Sequence, residues 1–146
     1  MNLSMEFSRK LALAYHQACK PLCQQLKLPQ TAFDILLFLA NNPNYQTAAD
    51  IVEVRKIKAN LVSVNVEKLV KDGYLTRQAV VGDRRKTQLL CTEKAQPVIE
   101  KGRALQAVFF DRLFENTNET MRAAFFETIR VMSQNLDTLL KGDLLL

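Results

Sequence analysis

The sequence has no tryptophan, a single histidine, four glycines and four prolines in 146 residues. So few glycines and prolines leave little room for flexible linkers or low-complexity tails. One histidine, with no glycine-rich phosphate loop and no visible Ser-His-Asp or paired-carboxylate grouping, does not favour catalysis. The sequence therefore predicts a globular protein that is not an enzyme and that holds no cofactor.

Long hydrophobic runs are also lacking. The best stretch, Ile35 to Ala40, is far shorter than the roughly eighteen apolar residues that a membrane-spanning helix needs. The first ten residues include Glu6 and lack the apolar region and cleavage site of a signal peptide. We therefore expect a cytoplasmic protein with no membrane partner.

Three cysteines are an odd number, so the sequence indicates no disulfide framework. His16, Cys19 and Cys23 follow an i, i+3, i+7 spacing, which places them on one face of a helix. This spacing suggests a zinc or redox sensor, but Pro21 disturbs it and no fourth ligand is evident. Because buried cysteines commonly act as small hydrophobic residues, we predict no metal site and keep a cysteine-based redox or metal sensor as an alternative.

Apolar residues at helical spacing predict two helices in the first third of the chain. The first covers Met5 to Leu26, and Pro21 is expected to kink it or to end its first part. The second is expected to be capped by Thr31 and to stop at Asn41-Asn42-Pro43, which is a strong helix breaker.

Two short helical patterns follow, at Thr47 to Val54 and at Ala59 to Asp72, joined by the basic turn Arg55 to Ile57. Gly73 comes after the second pattern, at the position where a left-handed residue commonly ends a helix. Two helices joined by so short a turn form a helix-turn-helix.

The chain then changes to a strand-like pattern. Leu75 to Val81 and Thr87 to Thr92 are rich in β-forming residues, and the polar stretch Gly82 to Lys86 separates them. This pattern predicts a β-hairpin with a five-residue charged tip.

The positive charge of the chain is concentrated in this central region. Residues 54–91 hold nine Lys or Arg and only three Asp or Glu, which gives this region a charge of +6. All other residues together carry −1, so the net charge of the chain is +5. A solvated basic surface is one explanation. Contact with a polyanion is the other, and it accounts for the clustering.

A helix-turn-helix followed by a basic hairpin can bind duplex DNA, with the second helix in the major groove. On the exposed face of that helix an asparagine can pair with adenine, a serine with a base or a phosphate, and a valine with a thymine methyl. On the hairpin, a guanidinium can enter the minor groove, and Asp83 can hold an arginine in a fixed pose. The predicted DNA-contacting residues are Lys58, Asn60, Ser63, Val64, Asn65, Arg77, Asp83, Arg84, Arg85 and Lys86.

The stretch from Asp50 to Ala95 resembles the DNA-binding core of the MarR family of regulators. The resemblance rests on Leu69-x-x-x-Gly73-Tyr74-Leu75, on Asp83-Arg84-Arg85 and on Leu90-Cys91-Thr92-Glu93-Lys94. Ala95 stands where the family often has glycine, and Lys58 stands where a serine or threonine commonly opens the recognition helix. The second difference removes a helix cap and leaves the first base-reading residue open.

The resemblance implies a pyramidal, mostly helical dimer whose first, fifth and sixth helices form the interface. It also implies that Arg85 enters the minor groove with Asp83 orienting it, and that Arg84 contacts the DNA backbone. Such regulators often respond to small phenolic or other amphipathic effectors held between the dimer helices and the DNA-binding lobe. A pocket among Tyr15, Phe33 and the fifth helix, with Leu37, fits this, although such residues are more often simple core.

Two more long helices are predicted. Thr92 is expected to cap the first, which runs to about Glu115, and the second runs from near Thr117-Asn118 to Lys141-Gly142. The second has apolar residues in a 4-3-4-3 spacing, which is typical of a coiled-coil seam. This surplus of apolar surface suggests a second copy of the chain, and a larger self-contained helical core is the alternative. The seam residues are Phe125, Ile129, Met132, Leu136 and Leu139.

The predicted fold is mainly α: a winged helix-turn-helix with a small β-hairpin wing and long N- and C-terminal dimerisation helices. We expect one domain over residues 1–146, with a DNA-binding lobe at 30–92 and a helical dimerisation region at 1–28 and 93–146. The predicted function is a homodimeric regulator that binds double-stranded DNA at a pseudo-palindromic operator, as a repressor relieved by a small amphipathic effector. A winged-helix protein-interaction module is a further alternative, but it would be expected to lose the cations of the hairpin.

Overall fold

The computed structural model describes residues 3–142, most of which are helical. The helices are α1 (Leu3–Leu26), α2 (Gln30–Asn41), α3 (Ala48–Arg55), α4 (Ala59–Lys71), α5 (Gln96–Leu113) and α6 (Glu119–Leu140). Strands β1 (Leu75–Val80) and β2 (Asp83–Cys91) form an antiparallel hairpin, and a 3-10 turn, Glu93–Ala95, follows it. This order confirms the predicted fold class, a mainly helical chain with a helix-turn-helix and one hairpin.

The chain divides into two compact units between Phe109 and Phe110. The core of the first unit is built around α2, where seven of twelve residues are buried. A helix that is apolar on nearly all sides has to be surrounded by other elements, and α2 contacts α1, α4 and β2. The largest fully buried side chains include Phe33, Ile35, Leu36, Leu37, Ile51, Leu69 and Ile99.

The second unit contains the end of α5 and all of α6. No residue of α6 is buried, although aromatic rings cluster between the two helical segments with centroids 4.7 to 6.0 Å apart. The five apolar residues of the predicted seam are between 40% and 56% exposed, so the helix presents an apolar stripe to solvent in the single chain. The clustered rings belong to Phe110, Phe114, Phe125 and Phe126.

Helix α1 runs through Pro21 to Leu26, so the expectation that the proline would end its first part is wrong. Proline removes one helical hydrogen bond. However, Cys19 and Cys23 are buried on either side of it, and their packing holds both halves of the helix against the core.

The start of α2 also differs from the prediction. The helix begins at Gln30 with Pro29 at the N-cap position, rather than with Thr31 as the cap. The N–H of Phe33 donates to the carbonyl of Pro29 at 3.0 Å, so the first turn is already closed before Thr31 can cap it. The φ of −59° at Pro29 is compatible with the N-cap position, so the helix can begin at Gln30.

Helix α5 packs closely on α2 at Gly102. A Cβ atom there would lie only 2.7 Å from Cδ2 of Leu37, whose side chain is 2% exposed. We expect Gly102→Ala to lower the free energy of unfolding by up to about 2 kcal/mol, because an overpacking cost of about 1–3 kcal/mol is offset by a gain in helix propensity of about 1 kcal/mol. Urea denaturation measures the change.

The double variant with Leu37→Ala provides the control. Removing the leucine side chain removes the clash, so in that background Gly102→Ala is expected to stabilise the protein through helix propensity alone. An equal loss of stability in both backgrounds would show that the close approach of α5 to α2 is not the cause.

Candidate nucleic-acid interface

Helix α3 is fixed at its start by a capping box. The Thr47 hydroxyl accepts from the N–H of Asp50 at 3.1 Å, and the Asp50 carboxylate accepts from the N–H of Thr47 at 3.0 Å. The helix ends at Arg55, and its C-cap residue Lys56 has a left-handed backbone with φ 55°. Helix α4 begins at Ala59, three residues after Lys56. Its N-cap residue Lys58 makes no side-chain cap bond, because a lysine has no acceptor atom. The two helices and this short turn form the predicted helix-turn-helix.

Helix α4 has one buried face and one exposed face, as the apolar periodicity predicts. Val62, Val66 and Leu69 are buried, whereas Asn60, Ser63 and Val64 are exposed. Val64 is 67% exposed although it is aliphatic. Single exposed apolar side chains are common on protein surfaces, so Val64 adds an aliphatic group to this polar face without by itself marking a ligand site.

Two of the predicted contact residues are bonded within the protein. The Asn65 side-chain amide donates to the carbonyl of Leu61 at 2.8 Å, so one of its donors is in use. Arg77 on β1 forms an ion pair with Glu67 on α4 at 2.9 Å. Sequence reasoning missed this pair because its members lie on different kinds of element, and no helical or strand spacing joins them. The only signal was a pair of opposite charges on either side of the Gly73 turn.

The end of α4 is tied to the segment that follows the hairpin. The Thr92 hydroxyl donates to the carbonyl of Gly73 at 2.6 Å. The Lys94 ammonium donates to the carbonyl of Asp72 at 2.6 Å and lies 4.6 Å from the centre of the Tyr74 ring. The prediction that Thr92 caps the next helix is therefore wrong: its side chain makes no cap bond, because the hydroxyl is engaged at the exit of α4.

The hairpin is tighter than predicted. Its ladder is regular from Leu75↔Cys91 to Ala79↔Thr87, and then Val80 pairs with Asp83. The turn therefore consists of Val81 and Gly82, with Gly82 at φ +87°, so the predicted five-residue tip is wrong. Glycine adopts this conformation without a steric cost, which allows the two strands to close in so short a distance.

Arg84, Arg85 and Lys86 lie between the last two pairs of the ladder, within the irregularity of β2. All three are exposed. The Asp83 carboxylate accepts from the backbone N–H of Arg85 at 3.0 Å, and no ion pair joins it to a guanidinium among residues 3–142. Asp83 thus fixes the backbone that carries the three cations, rather than an arginine head group as the sequence suggested.

A cavity of about 260 Å³ lies beside the helix-turn-helix within the first unit. It is lined by Tyr15, Leu37 and Gln106 but not by Phe33, which is fully buried in the core. Gln106 donates to the Tyr15 hydroxyl at 3.0 Å, and burial raises the pKa of that hydroxyl to about 12, so it stays protonated at neutral pH. The other lining residues are Asp34, Phe38, Asn41, Asn42 and Arg55.

One wall of this cavity carries a partly buried ion pair that sequence reasoning did not anticipate. Arg55, at the end of α3, lies 3.5 Å from the Asp34 carboxylate of α2. Burial raises the pKa of Asp34, and the positive charge of Arg55 acts in the opposite direction. The pair connects the cavity directly to the helix-turn-helix.

The cysteines and His16 do not form a common site. Cys19 and Cys23 are buried, whereas His16 is exposed. Burial raises the pKa of Cys23 to about 11 and also raises that of Cys19, which disfavours the reactive thiolate. No group of three potential metal ligands comes together in the part of the chain that the structure describes.

The sequence itself matches a known family over its central part. Residues 26–86, which include α2, α3, α4 and the start of β2, match the model of the MarR family. None of the curated proteins matches the chain in sequence. Among residues 3–142, no helix combines the length and the hydropathy that crossing a bilayer requires.

Solved structures share the fold. A MarR protein from Peptoclostridium difficile is 21% identical with a TM-score of 0.75, over 94% of this chain and 89% of that one. A MarR transcriptional regulator from Methanosarcina mazei is 17% identical with a TM-score of 0.76, over 95% of this chain and 99% of that one. The MepR–DNA complex of S. aureus is 16% identical with a TM-score of 0.58, over 88% of this chain and 96% of that one.

The matched segment contains the helix-turn-helix and the cations of the hairpin, and the structure has the winged-helix fold of these proteins. Over residues 26–86 the chain is therefore similar in sequence to the MarR family, and its fold is that of solved MarR proteins.

Proposed function

We propose that this chain is a homodimeric transcription regulator that binds a pseudo-palindromic operator in duplex DNA and represses until a small effector releases it. The observation that carries the proposal is the arrangement of one surface. Helix α4 exposes Asn60, Ser63 and Val64, and the hairpin beside it in sequence exposes three consecutive cations. The similarity of the fold to a protein solved in complex with DNA supports the same conclusion.

In this proposal α4 enters the major groove, which is about 12 Å wide and admits one helix. Residues 30–92 act as the DNA-binding lobe of one regulatory domain, and residues 1–28 and 93–146 hold two such lobes in a dimer. A two-fold dimer presents two copies of α4 to major grooves about 34–36 Å apart.

The hairpin supplies the second contact. Arg85 is proposed to enter the minor groove, where the potential is most negative over narrow A-tracts, and Arg84 to contact phosphates. Asp83 is proposed to fix the backbone of Arg85 through the hydrogen bond described above. Because this bond involves the main chain, the guanidinium remains available to an anionic partner.

The apolar stripe of α6 supports the dimer. This helix has 22 residues, none of which is buried, and five exposed apolar side chains at coiled-coil spacing. A contiguous exposed apolar patch commonly marks an interaction surface. A second copy of the same stripe would cover it and would form an isologous interface.

The cavity beside Tyr15 is the proposed effector site. Its apolar side chains, Leu37 and Phe38, suit a ring, and its polar groups include the Tyr15 hydroxyl, the Gln106 amide and the Arg55–Asp34 pair. A small amphipathic molecule with an anionic or hydroxyl group matches this lining. About 260 Å³ limits the ligand to a compact one.

The first test is fluorescence anisotropy of the protein on a duplex from its own upstream region, with a scrambled duplex as control, across a salt series. The proposal expects preferential, salt-sensitive binding with two chains per site. Absence of binding to both duplexes at low salt would overturn it and would favour a winged-helix module that binds another protein.

We expect Arg85→Ala to weaken binding to the operator by about 1–3 kcal/mol, mostly without changing sequence preference, because it removes a minor-groove guanidinium. The backbone N–H that bonds to Asp83 stays in place, so the hairpin keeps its conformation. The anisotropy titration measures the loss, and Lys101→Ala, which removes an exposed cation from α5, is the matched control. Equal affinities for Arg85→Ala and Lys101→Ala would exclude the proposed role of Arg85.

Substitutions on α4 should change sequence preference instead. We expect Asn60→Ala and Ser63→Ala to narrow the difference in affinity between the operator and single-base variants of it, by about 1–3 kcal/mol at the contacted position. Both side chains are exposed, so thermal stability should be unchanged. Binding of a panel of substituted duplexes measures the effect, and a uniform loss across the panel would mean that these residues contact phosphates rather than bases.

The dimer is tested by Leu136→Glu on α6. Leu136 is 56% exposed in the single chain, so the substitution should leave the chain folded while placing a charge in the proposed interface. Light scattering coupled to size exclusion is expected to show a mass that falls from twice 16.6 kDa to 16.6 kDa. Gln134→Glu, which adds the same charge at a polar exposed position of α6, is the control. A wild-type protein of 16.6 kDa would contradict the dimer.

A further inference from the structure

A second basic surface lies at the junction of α1 and α2, outside the residues predicted to contact DNA. It is an open groove of about 540 Å³ whose lining contains three lysines and a histidine but no aspartate or glutamate. Like charges brought together without a counter-charge repel one another, and an anionic ligand relieves this repulsion. The cationic lining residues are Lys20, Lys27 and Lys68, together with His16.

Lys27 occupies a backbone position that normally belongs to glycine. The N–H of Lys27 donates to Gln24 O at 3.2 Å and that of Leu28 to Cys23 O at 3.0 Å, which is the Schellman end of a helix. Its φ is 56°, a left-handed value that a residue with a Cβ atom adopts only at a steric cost. The backbone at this position therefore favours glycine over lysine, and the ammonium of Lys27 lines the groove.

The opposite wall of the groove is the start of α2. This helix of twelve residues has no side-chain cap and no acidic residue in its first turn, so the positive end of its dipole is not neutralised. Gln30 lines the groove there, and its Oε1 is buried with no hydrogen-bond partner among residues 3–142. A half turn of the amide would place the Nε2 donor where this acceptor now lies unpaired.

Lys68 links the groove to the surface proposed to read DNA. It is exposed and lies four residues after Val64 on α4, so the two side chains share one side of the helix. A duplex whose bases are read by Asn60 and Val64 therefore has its backbone close to the groove, rather than on a remote face of the protein.

We propose that this groove binds phosphates of the duplex backbone beyond the bases that α4 reads. The proposal rests on the function proposed above and extends the DNA contact from the helix-turn-helix and hairpin to the junction of α1 and α2. Three ammonium groups and the uncapped start of α2 supply the recognition, which is independent of sequence. The contact adds affinity and salt dependence without adding base preference.

The test uses two duplexes with the same operator, one ending at the outer edges of the half-sites and one extended by about ten base pairs, one helical turn, on each side. Anisotropy is measured across a salt series for the wild type, Lys20→Ala, Lys27→Gly and the control Lys101→Ala. The wild type is expected to bind the extended duplex more tightly, with a salt slope steeper by about 1 for each added phosphate contact. Lys20→Ala and Lys27→Gly should remove most of this gain and leave binding to the short duplex nearly unchanged.

The variant Lys27→Gly distinguishes the effect of the lysine charge on DNA binding from its effect on the stability of the fold. Glycine suits the left-handed position better than lysine, so the melting temperature of this variant should stay the same or rise while the added affinity for the extended duplex is lost. A loss of affinity with unchanged stability is not expected of a residue that only ends a helix.

The proposal is overturned if both groove variants behave like Lys101→Ala on the extended duplex. A second outcome also overturns it, and it combines two results. Inorganic phosphate, compared with chloride at equal ionic strength, raises the melting temperature of the wild type but not that of Lys27→Gly, and the groove variants bind DNA with the affinity of the wild type. That result would assign the groove to a free phosphorylated ligand. Failure of the wild type to bind any duplex would instead contradict the proposed function itself, so the two failures are distinguishable.

Discussion

The carbonyl groups at the end of α4 are the constraint on which the geometry of the candidate interface depends. A helix leaves its last carbonyls without intrahelical partners. In α4 the carbonyls of Leu69 and Val70 accept from the backbone N–H groups of Tyr74 and Gly73. The next carbonyls, those of Asp72, Gly73 and Tyr74 just beyond the helix, accept from the Lys94 ammonium, the Thr92 hydroxyl and the Thr92 N–H. The cation also lies at the negative end of the helix dipole, where it is stabilising. Because the donors come from the segment between β2 and α5, these bonds join the exit of α4, the base of the hairpin and the start of α5. These bonds therefore help to fix the position of the hairpin relative to the exposed face of α4.

The part of this arrangement that the sequence predicts is the part determined by local spacing. The apolar repeat of α4 identified its buried and exposed faces, and Gly73 marked its end, because a left-handed C′ residue is a local requirement. The role of Thr92 was not predictable in the same way. A threonine before a helix is a good cap, and only the folded chain brings the carbonyl of Gly73 within 2.6 Å of its hydroxyl. The prediction of where α2 starts was wrong for a related reason. A proline and a threonine both suit a helix start, and the local sequence does not decide between them.

The hairpin shows how register limits such predictions. Five polar residues between two apolar runs indicate a loop, and residues 84–86 do lie outside the regular ladder. The pairing of Val80 with Asp83 nevertheless closes the turn at two residues, and that pairing depends on cross-strand hydrogen bonds rather than on composition. The same argument applies to charge. Counting residues located the basic segment, but it did not show that Glu67 engages Arg77 or that Asp83 engages a backbone N–H. Two of the three carboxylates in that segment thus hold the interface together, and they leave the three consecutive cations of the hairpin exposed.

The Arg55–Asp34 pair explains how an occupant of the cavity could act on DNA binding. Arg55 lines the cavity and is also the last residue of α3, one residue before the left-handed Lys56 that begins the turn to α4. Burial disfavours the charged form of Asp34, so the carboxylate depends on its cationic partner. An anionic group in the cavity would compete with Asp34 for the guanidinium. A ligand shifts a conformational equilibrium only by its difference in affinity for the two states. If the turn between α3 and α4 differs in the DNA-bound state, ligand contact with Arg55 supplies such a difference at the place where α4 is oriented.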